Sequence, residues 1–353
     1  MADNKNEMNI PNVNITRAER LINHALISKK PIFIWGTMGV GKSDLVRQIS
    51  KKRKYTKVVD IRCATMPPDE WKIPFVDLEK QLVKYLVNQM LPTDPNAKEL
   101  IYLDEVNASA PMIQGMLYQF VLDRQIAEYK LPKNCDIILS GNRASDKGVV
   151  NSMPSPLRNR MLHINLVPEF KAWKDFMIEN KGHGDVIAFN EWQKGKYLHT
   201  FDGKDQGQIA FASPRSWVMV SDILKSNPPS DLIFDLVCST VGRALAVEFE
   251  GYRTTANKMP KFEDIIERPT TTEVPDDPCC LYALCSSLSR RATENNWSSI
   301  LTYVKRMGKE MQTLTILDAL KVNKDISNAL QRNSDYIDMA VDIQDLRRIV
   351  KDA

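Results

Sequence analysis

Residues 36–43 read GTMGVGKS and fit the pattern G-x-x-x-x-G-K-S. An apolar run, PIFIW at residues 31–35, precedes them, and a segment with helical periodicity, residues 42–53, follows. Glycines at these positions let the backbone turn tightly and aim several N–H groups at one point. A helix that begins at the end of the loop adds its positive dipole end. The stretch therefore predicts strand, phosphate-binding loop and helix, which is how a P-loop α/β domain begins.

Each position of this loop has a predicted role in holding a nucleotide. Lys42 is expected to reach the β- and γ-phosphates, and the Ser43 hydroxyl is expected to bind Mg²⁺. The predicted nucleotide-binding residues are Gly36, Thr37, Met38, Gly39, Val40, Gly41, Lys42 and Ser43. The loop thus indicates ATP and Mg²⁺ as ligands.

The chain around the loop alternates short apolar runs with helical segments as far as about residue 168. The runs are β-rich and bounded by turns, which is typical of buried parallel strands. Strands are expected at 31–35, 57–62, 99–104, 135–140 and 162–166, and helices at 15–27, 42–53, 79–90 and 109–123. The pattern predicts an α/β fold, a P-loop NTPase αβα sandwich with a five-stranded parallel sheet.

Two acidic residues end the third apolar run. This run, ELIYLD at residues 99–104, finishes with Asp104, and Glu105 follows directly. An apolar strand that ends in Asp-Glu is the Walker B pattern, in which one carboxylate holds Mg²⁺ and the other orients the attacking water. We therefore predict Asp104 and Ser43 as metal-binding residues and Glu105 as catalytic. Taken alone, the pair also fits a strand that ends in a solvated acidic turn.

Polar residues beside the later strands are further catalytic candidates. Asn142 follows the run at 135–140 and is expected beside the Walker B strand, where it can meet the γ-phosphate or the attacking water. Arg158 and Arg160 precede the last run, at the rim of the domain, from which an arginine can reach a neighbour's nucleotide. Arg160 is the first choice and Arg158 the second. A turn asparagine and surface arginines in ion pairs are the alternatives.

Arg215 is the last catalytic candidate. Ser213 and Pro214 are good residues for the start of a helix, and Arg215 then lies in its first turn. From a helical lid it could reach the γ-phosphate of its own chain. An exposed first-turn arginine without a ligand is the alternative.

The second half of the chain is mostly helical in its periodicity. Helices are expected at 169–180, 214–226, 230–249, 281–294, 297–311, 313–320 and 335–351, with a linker at 268–278. The predicted parts are a flexible tail at 1–14, a nucleotide-binding core at 15–168, a helical lid at 169–267 and a C-terminal helical module at 279–353.

The composition limits the function classes. The chain has 353 residues, 43% of them hydrophobic, and a net charge of +4, which argues against a protein that coats nucleic acid but leaves room for a local basic channel. No apolar run approaches the roughly 20 residues of a membrane span, and the N-terminus lacks the apolar region of a signal peptide. The six cysteines lack metal-ligand spacing, which favours buried thiols in a cytoplasmic protein, although the Cys279-Cys280 pair near Cys285 leaves a redox or metal cluster as the weaker alternative.

Several motifs agree in order and spacing with one known family. They are GTMGVGKS (36–43), DIR (60–62), LDEVNAS (103–109), YQFVLDRQIAEYKLP (118–132), SGNR (140–143), MPSPLRNRMLHI (153–164) and ASPRSW (212–217). On these residues the chain resembles the MoxR-type AAA+ ATPases, over about residues 15–265. Two departures are Lys72-Ile73-Pro74, where relatives tend to have glycine before Leu-Pro, and Arg160-Met161, where they have Arg-Phe.

The resemblance implies more than the spacing does. Such proteins form rings, usually hexamers, with ATP at the subunit interfaces and the residue at Arg160 or Arg158 acting on the next subunit. Asn142 matches the sensor-1 position and Arg215 the sensor-2 position, and residues 118–134 would form a hairpin. Family members commonly remodel protein clients in a chaperone-like way, often beside a partner protein with a von Willebrand factor A domain.

Two questions about function stay open at the level of sequence. Trp71, in the segment MPPDEWKIPF at residues 66–75, could grip a client in the pore of a ring or simply pack on the core. The alternative functions are a nucleic-acid motor or loader, which would show DNA-stimulated hydrolysis, and a nucleotide-gated assembly scaffold, which would hydrolyse negligibly.

Overall fold

The first half of the chain folds around a parallel sheet in the structure, a computed structural model that describes residues 9–143, 146, 151–201, 209–256, 258–323, 325–326 and 336. The described residues form two compact units, of which the first ends at Glu169 and the second begins at Phe170. The elements of the first unit are β1 (Asn12–Val13), α1 (Ile15–Ile27), β2 (Ile32–Trp35), α2 (Lys42–Arg53), β3 (Lys57–Arg62), α3 (Pro68–Trp71), β4 (Lys72–Asp77), β5 (Leu82–Val87), β6 (Glu99–Asp104), a 3₁₀ turn (Val106–Ala108), α4 (Pro111–Asp123), β7 (Gln125–Ile126), β8 (Tyr129–Lys130), β9 (Asp136–Gly141), α5 (Ser155–Arg158) and β10 (Leu162–Leu166).

The main sheet has the strand order β1-β10-β2-β9-β6-β3, with every pair parallel. Its five long strands are those predicted from the sequence. The sixth strand, Asn12–Val13, lies in the predicted flexible tail and pairs with Asn165 and Leu166. The Asn165 side chain also donates to Asn12 Oδ1 at 2.6 Å, and Asn14 then caps α1. The prediction of a tail up to residue 14 is therefore wrong for residues 9–14, because backbone pairing to an edge strand orders part of them.

Both faces of the sheet are covered by helices. Successive side chains of a strand point to opposite faces, so Tyr102 and Ile138 belong to the apolar core that also contains the buried residues of α1 and α2. Ile101 and Leu103 belong to the other core, which contains the buried residues of α4. The arrangement confirms the predicted αβα sandwich around a parallel sheet.

The predicted helix at 79–90 is wrong. Residues 72–77 and 82–87 form an antiparallel hairpin, β4–β5, in which Val76 pairs with Val83. Apolar residues in this segment fit both a helical and an alternating pattern, and the turn decides between them. Asp77 accepts from the backbone N–H of Lys80 at 3.1 Å and pairs with Lys84 at 3.0 Å, which stabilises the chain reversal.

The described residues of the second unit are helical. Its elements are α6 (Phe170–Glu179), α7 (Gly184–Trp192), α8 (Pro214–Lys225), α9 (Ser230–Val241), α10 (Arg243–Ala256), α11 (Phe262–Glu267), α12 (Pro278–Arg291), α13 (Trp297–Val304) and α14 (Lys309–Val322). The helix predicted at 230–249 is two helices, because Gly242 has φ of 91° and ends the first. The helix predicted at 335–351 lies outside the described residues except for Tyr336. No helix among the described residues is both long and apolar enough to cross a membrane.

A buried ion cluster links three helices of this unit. The ammonium of Lys174 on α6 lies 2.7 Å from the carboxylate of Glu191 on α7 and 2.8 Å from that of Asp318 on α14. The described parts of the predicted lid and of the predicted C-terminal module both belong to this unit. All six cysteines of the chain are free, and only Cys238 is not fully buried.

Candidate nucleotide-binding site

The loop at residues 36–41 joins the end of β2 to the start of α2. Gly41, the residue before α2, has φ of 98°, a left-handed conformation that glycine adopts without strain. A Cβ on Gly36 would lie 3.0 Å from the carbonyl oxygen of Leu166, so the close approach to β10 also requires glycine. The first N–H groups of an α-helix have no acceptor within the helix, so the start of α2 is suited to bind an anion.

Lys42 links the loop to the sensor strand, which is β9, the strand that ends just before the predicted sensor residue Asn142. Its Nζ donates to the carbonyl oxygens of Gly36 at 2.7 Å and Thr37 at 3.2 Å, and to Asn142 Oδ1 at 2.9 Å. Asn142 comes directly after β9, which is the neighbour of β2 in the sheet. The predicted phosphate-binding lysine and the predicted sensor asparagine are therefore in direct contact.

The two predicted metal ligands are joined by two residues that sequence reasoning missed. Ser43 Oγ lies 3.4 Å from the hydroxyl of Tyr102, which lies 2.8 Å from Ser140 Oγ. Ser140 in turn donates to Asp104 Oδ1. Tyr102 lies two positions before Asp104, and Ser140 lies two positions before Asn142. Side chains two positions apart point to the same face of a strand, so this spacing could have indicated both residues from the sequence.

Glu105 lies just beyond the sheet edge. It has φ of 55°, an uncommon conformation for a residue other than glycine, so the chain turns sharply after Asp104. The backbone N–H of Glu105 donates to Asp104 Oδ1 at 2.9 Å, and both carboxylates are half-buried.

A buried asparagine fixes the position of Asn142. Asn107, in the 3₁₀ turn after Glu105, donates from Nδ2 to the carbonyl oxygen of Asn142 at 2.7 Å. Its own carbonyl oxygen accepts from the N–H of Asn151 at 2.7 Å. The segment after the Walker B strand is thus tied to the sensor strand through Asn107, which the sequence analysis did not single out.

The donor set fits a magnesium nucleotide. The Thr37 hydroxyl is buried and has no partner among the described residues. Burial, and next the charge of Asp104, raises the pKa of Asp60 on the neighbouring strand β3. Within the described residues there is no group of three or more His, Cys, Asp or Glu that could hold a metal by itself. Mg²⁺ is suited to such a site because it keeps waters and takes phosphate oxygens beside one or two protein ligands.

The predicted trans arginines lie away from this site in their own chain. Arg158 and Arg160 are exposed and precede β10, whose Leu162 pairs with Ile32 at the amino end of β2. The loop follows the carboxyl end of β2, at the opposite edge. The Arg160 guanidinium lies 4.8 Å from the centre of the Tyr118 ring and donates to its hydroxyl.

Arg215 and Trp71 are the two remaining candidates. Arg215 is exposed in the first turn of α8, where Ser213 and Ser216 form a capping box. It belongs to the second unit, and its approach to a phosphate remains a prediction. Trp71 is 1% exposed and packs against Phe120, so the hypothesis that it grips a client is wrong. Its indole fills the core under α4, and the exposed apolar side chains of that region are those of the β4–β5 hairpin.

No protein-family model and no curated protein sequence matches the chain. Among solved structures, the chain is similar to NtrX from Brucella abortus in complex with ADP, with TM-score 0.41, 14% identity, and coverage of 89% of this chain and 68% of that one. It is also similar to a RuvB mutant from Thermotoga maritima, with TM-score 0.40, 15% identity, and coverage of 78% and 83%. A putative ATPase from Cytophaga hutchinsonii has TM-score 0.34, 12% identity, and coverage of 89% and 84%. At these scores the similarity assigns neither a family nor an activity, so the function rests on the site itself.

Proposed function

We propose that this protein is an ATPase of the AAA+ kind that binds Mg-ATP at residues 36–43 and hydrolyses it. The observation that carries the proposal is the triple contact of the Lys42 ammonium with two loop carbonyls and with Asn142. It brings a cation, a helix N-terminus and a polar sensor to one point, where a triphosphate needs all three.

Each polar residue has one role in this proposal. Lys42 and the N–H groups of the loop hold the phosphates. Ser43 and Asp104 would hold Mg²⁺, which supplies charge neutralisation at the phosphate oxygens when bound. Glu105 orients the attacking water and accepts its proton, and Asn142 hydrogen-bonds the γ-phosphate or that water.

The proposal extends to a ring, expected to be a hexamer. Arg160, or Arg158 in its place, would stabilise transition-state charge on the nucleotide of the next subunit. Arg215 would contact the γ-phosphate of its own chain and couple hydrolysis to movement of the helical second unit. The motif set of the sequence supports a MoxR-type protein, and with it chaperone-like remodelling of a protein client beside a von Willebrand factor A domain partner.

Titration calorimetry with ATP and Mg²⁺ tests the first step. We expect the wild-type chain to bind Mg-ATP, Lys42→Ala to lose binding, and Glu105→Gln to bind without turnover. Normal turnover by Glu105→Gln would refute the role of Glu105, and a folded wild-type chain that binds no nucleotide would refute the function. Strong stimulation of turnover by DNA would favour a nucleic-acid motor instead.

A further inference from the structure

Tyr102 provides a polar link beneath the proposed metal site. Its ring belongs to the apolar core on the α2 side of the sheet, and the residue is 1% exposed. Its hydroxyl lies between Ser43 Oγ, at 3.4 Å, and Ser140 Oγ, at 2.8 Å. Ser140 also contacts Asp104 Oδ1. Four side chains therefore form a continuous chain of hydroxyl and carboxylate groups from one proposed metal ligand to the other.

The direction of this chain follows from counting hydrogens. An ionised carboxylate only accepts, so the single hydroxyl hydrogen of Ser140 is donated to Asp104. Ser140 Oγ can then only accept from Tyr102, which uses the single hydrogen of the tyrosine. The tyrosine oxygen can in turn only accept, and the remaining hydrogen between Tyr102 and Ser43 must come from Ser43.

The opposite direction leaves one contact without a hydrogen. If Tyr102 donated to Ser43, the oxygens of Tyr102 and Ser140 would face each other at 2.8 Å with nothing between them, because the Ser140 hydrogen is already on Asp104. Two buried oxygens at that distance without a hydrogen are unfavourable. The buried carboxylate contact at one end thus fixes the hydroxyl orientation at the other.

We propose that the Tyr102 hydroxyl is a positioning group that draws the Ser43 hydrogen toward the sheet and so leaves the Ser43 lone pairs directed to Mg²⁺. The inference rests on the proposed function. A serine hydroxyl that binds a cation must offer an oxygen lone pair, and a freely rotating hydroxyl spends part of its time with its hydrogen in the wrong direction. Tyr102 restricts that freedom, because its oxygen lies 3.4 Å from Ser43 Oγ, at the long end of a hydrogen bond. A cation that polarises the Ser43 hydroxyl makes it a better donor and strengthens this contact.

Tyr102→Phe is the first test variant, since it keeps the ring in the core and removes only the hydroxyl. The affinity for a fluorescent ATP analogue is measured with excess EDTA and across a Mg²⁺ titration. We expect the EDTA affinity to stay at the wild-type value and the Mg²⁺ midpoint to rise by about 5- to 10-fold, the value of one lost orienting hydrogen bond. Mn²⁺ binding by electron paramagnetic resonance in the presence of nucleotide should weaken by a similar factor.

Ser140→Ala is the second variant. It leaves the Tyr102 hydrogen without its acceptor and free to turn to Ser43, where it competes with the cation for the same lone pairs. We expect the Mg²⁺ midpoint to rise here too. Adding Tyr102→Phe to Ser140→Ala should raise it no further, because the second change removes the competing hydrogen and both residues belong to one chain of hydrogen bonds.

Tyr129→Phe is the matched control. Its hydroxyl donates to the carbonyl oxygen of Pro92 at 2.7 Å and has no link to the loop, so its removal should leave the Mg²⁺ midpoint unchanged. A Tyr102→Phe protein with the wild-type Mg²⁺ midpoint would overturn this inference and leave the proposed function standing. Equal loss of affinity with and without Mg²⁺ would also overturn it, since that indicates a structural role. A wild-type chain that binds no nucleotide would overturn the proposed function as well.

Discussion

Gly141 is the residue at which the sensor strand comes closest to the segment after the Walker B strand. A Cβ at this position would collide with Asn107 Oδ1 and approach the Phe33 ring at 2.8 Å. Asn107 is 1% exposed and cannot move away without loss of its hydrogen bond to the Asn142 carbonyl. The sensor strand can therefore keep this conformation only because Gly141 has no Cβ.

Gly141→Ala is expected to destabilise the fold by about 1–3 kcal/mol, the usual cost of overpacking a close-packed core. It should also weaken nucleotide binding through the displaced Asn142. Gly115→Ala in α4 is the matched control: nothing lies within 4 Å of its added Cβ, and alanine in a helix interior is neutral or stabilises by up to about 1 kcal/mol. Urea unfolding of both variants measures the difference, and equal stabilities would contradict the role of Gly141.

Residues with a motif could be predicted from the sequence, whereas residues that support them could not. The loop residues carry their chemistry in a local pattern, and Lys42 and Asn142 are in contact as the predicted sheet requires. Tyr102 in an apolar strand is indistinguishable from a core residue, and Asn107 from a turn residue. Their importance depends on hydrogen bonds to residues more than 30 positions away, which no local pattern encodes.

Among the elements, the β4–β5 hairpin has the least support. Phe75 is 52% exposed and Val83 is 54% exposed, and they lie on opposite faces of the hairpin. Both faces are therefore exposed there, and Val87 at the end of β5 packs against the core. A two-stranded hairpin alone is marginal in water. Its visible support is the Asp77–Lys84 ion pair at 3.0 Å and the Lys72 ammonium 4.8 Å from the Tyr85 ring centre, contacts that are weak when exposed.

Amide hydrogen exchange should therefore differ sharply between this hairpin and the central strands. We expect the amides of β5 to exchange orders of magnitude faster than those of β9, whose residues are all buried, because exposed segments open locally without global unfolding. Mass-spectrometric exchange on the isolated chain gives both rates. Slow exchange throughout β5 would show that something covers the hairpin and would contradict the expectation.

The helix and strand predictions failed where one turn decided the outcome. Residues 82–87 are strand because Asp77 stabilises a reversal before them, and residues 230–249 are broken because Gly242 adopts φ of 91°. In the sheet the long strands were predictable, since buried parallel strands are apolar throughout. The failures lie in exposed or helical segments, where apolar residues fit more than one period.

The buried ion cluster ties together helices α6, α7 and α14. Burial raises the pKa values of Asp318 and Glu191 above their ordinary 3.8 and 4.5, while the charge of Lys174 lowers both. Two carboxylates share one ammonium, so the cluster depends on Lys174 more than on either acid.

Lys174→Met should destabilise the second unit by about 3 kcal/mol near neutral pH, because it leaves two buried carboxylates without their hydrogen-bonded cation. The charge of Lys321 still acts on both carboxylates. Loss of the lysine raises both carboxyl pKa values further, so folding of the variant favours the protonated acids. The loss of stability should therefore be full above these pKa values and shrink as the pH falls through them, as measured by denaturant unfolding at each pH. Adding Glu191→Gln and Asp318→Asn should remove most of this pH dependence, and a deficit that grows on acidification would contradict the assignment.

For the whole molecule, the proposed trans role of Arg160 would make catalysis depend on a neighbouring subunit. Leu162 pairs with Ile32, and the loop begins at Gly36, so the two sites are separated by about 13 Å along the strands at the usual rise per residue. Arg160 precedes Leu162 and is exposed, held only by Tyr118 among its described contacts. In its own chain it lies at the opposite edge of the sheet from the loop. This position supports the proposal that Arg160 acts on another subunit's nucleotide.

Mixing two inactive variants tests this dependence. Lys42→Ala lacks the loop cation but keeps Arg160, and Arg160→Ala keeps a complete loop. If the arginine acts in trans in a ring of head-to-tail contacts, an equal mixture has about a quarter of its sites with both groups and should recover about a quarter of the wild-type ATPase rate. Mixing Lys42→Ala with Glu105→Gln should recover nothing, because both changes damage the loop side of the site and no interface is complete. Recovery of activity in this control would contradict the trans role of Arg160. The same holds if the first mixture recovers no activity while a mixture of Arg158→Ala and Lys42→Ala does. Failure of both arginine variants to complement would leave the ring without support.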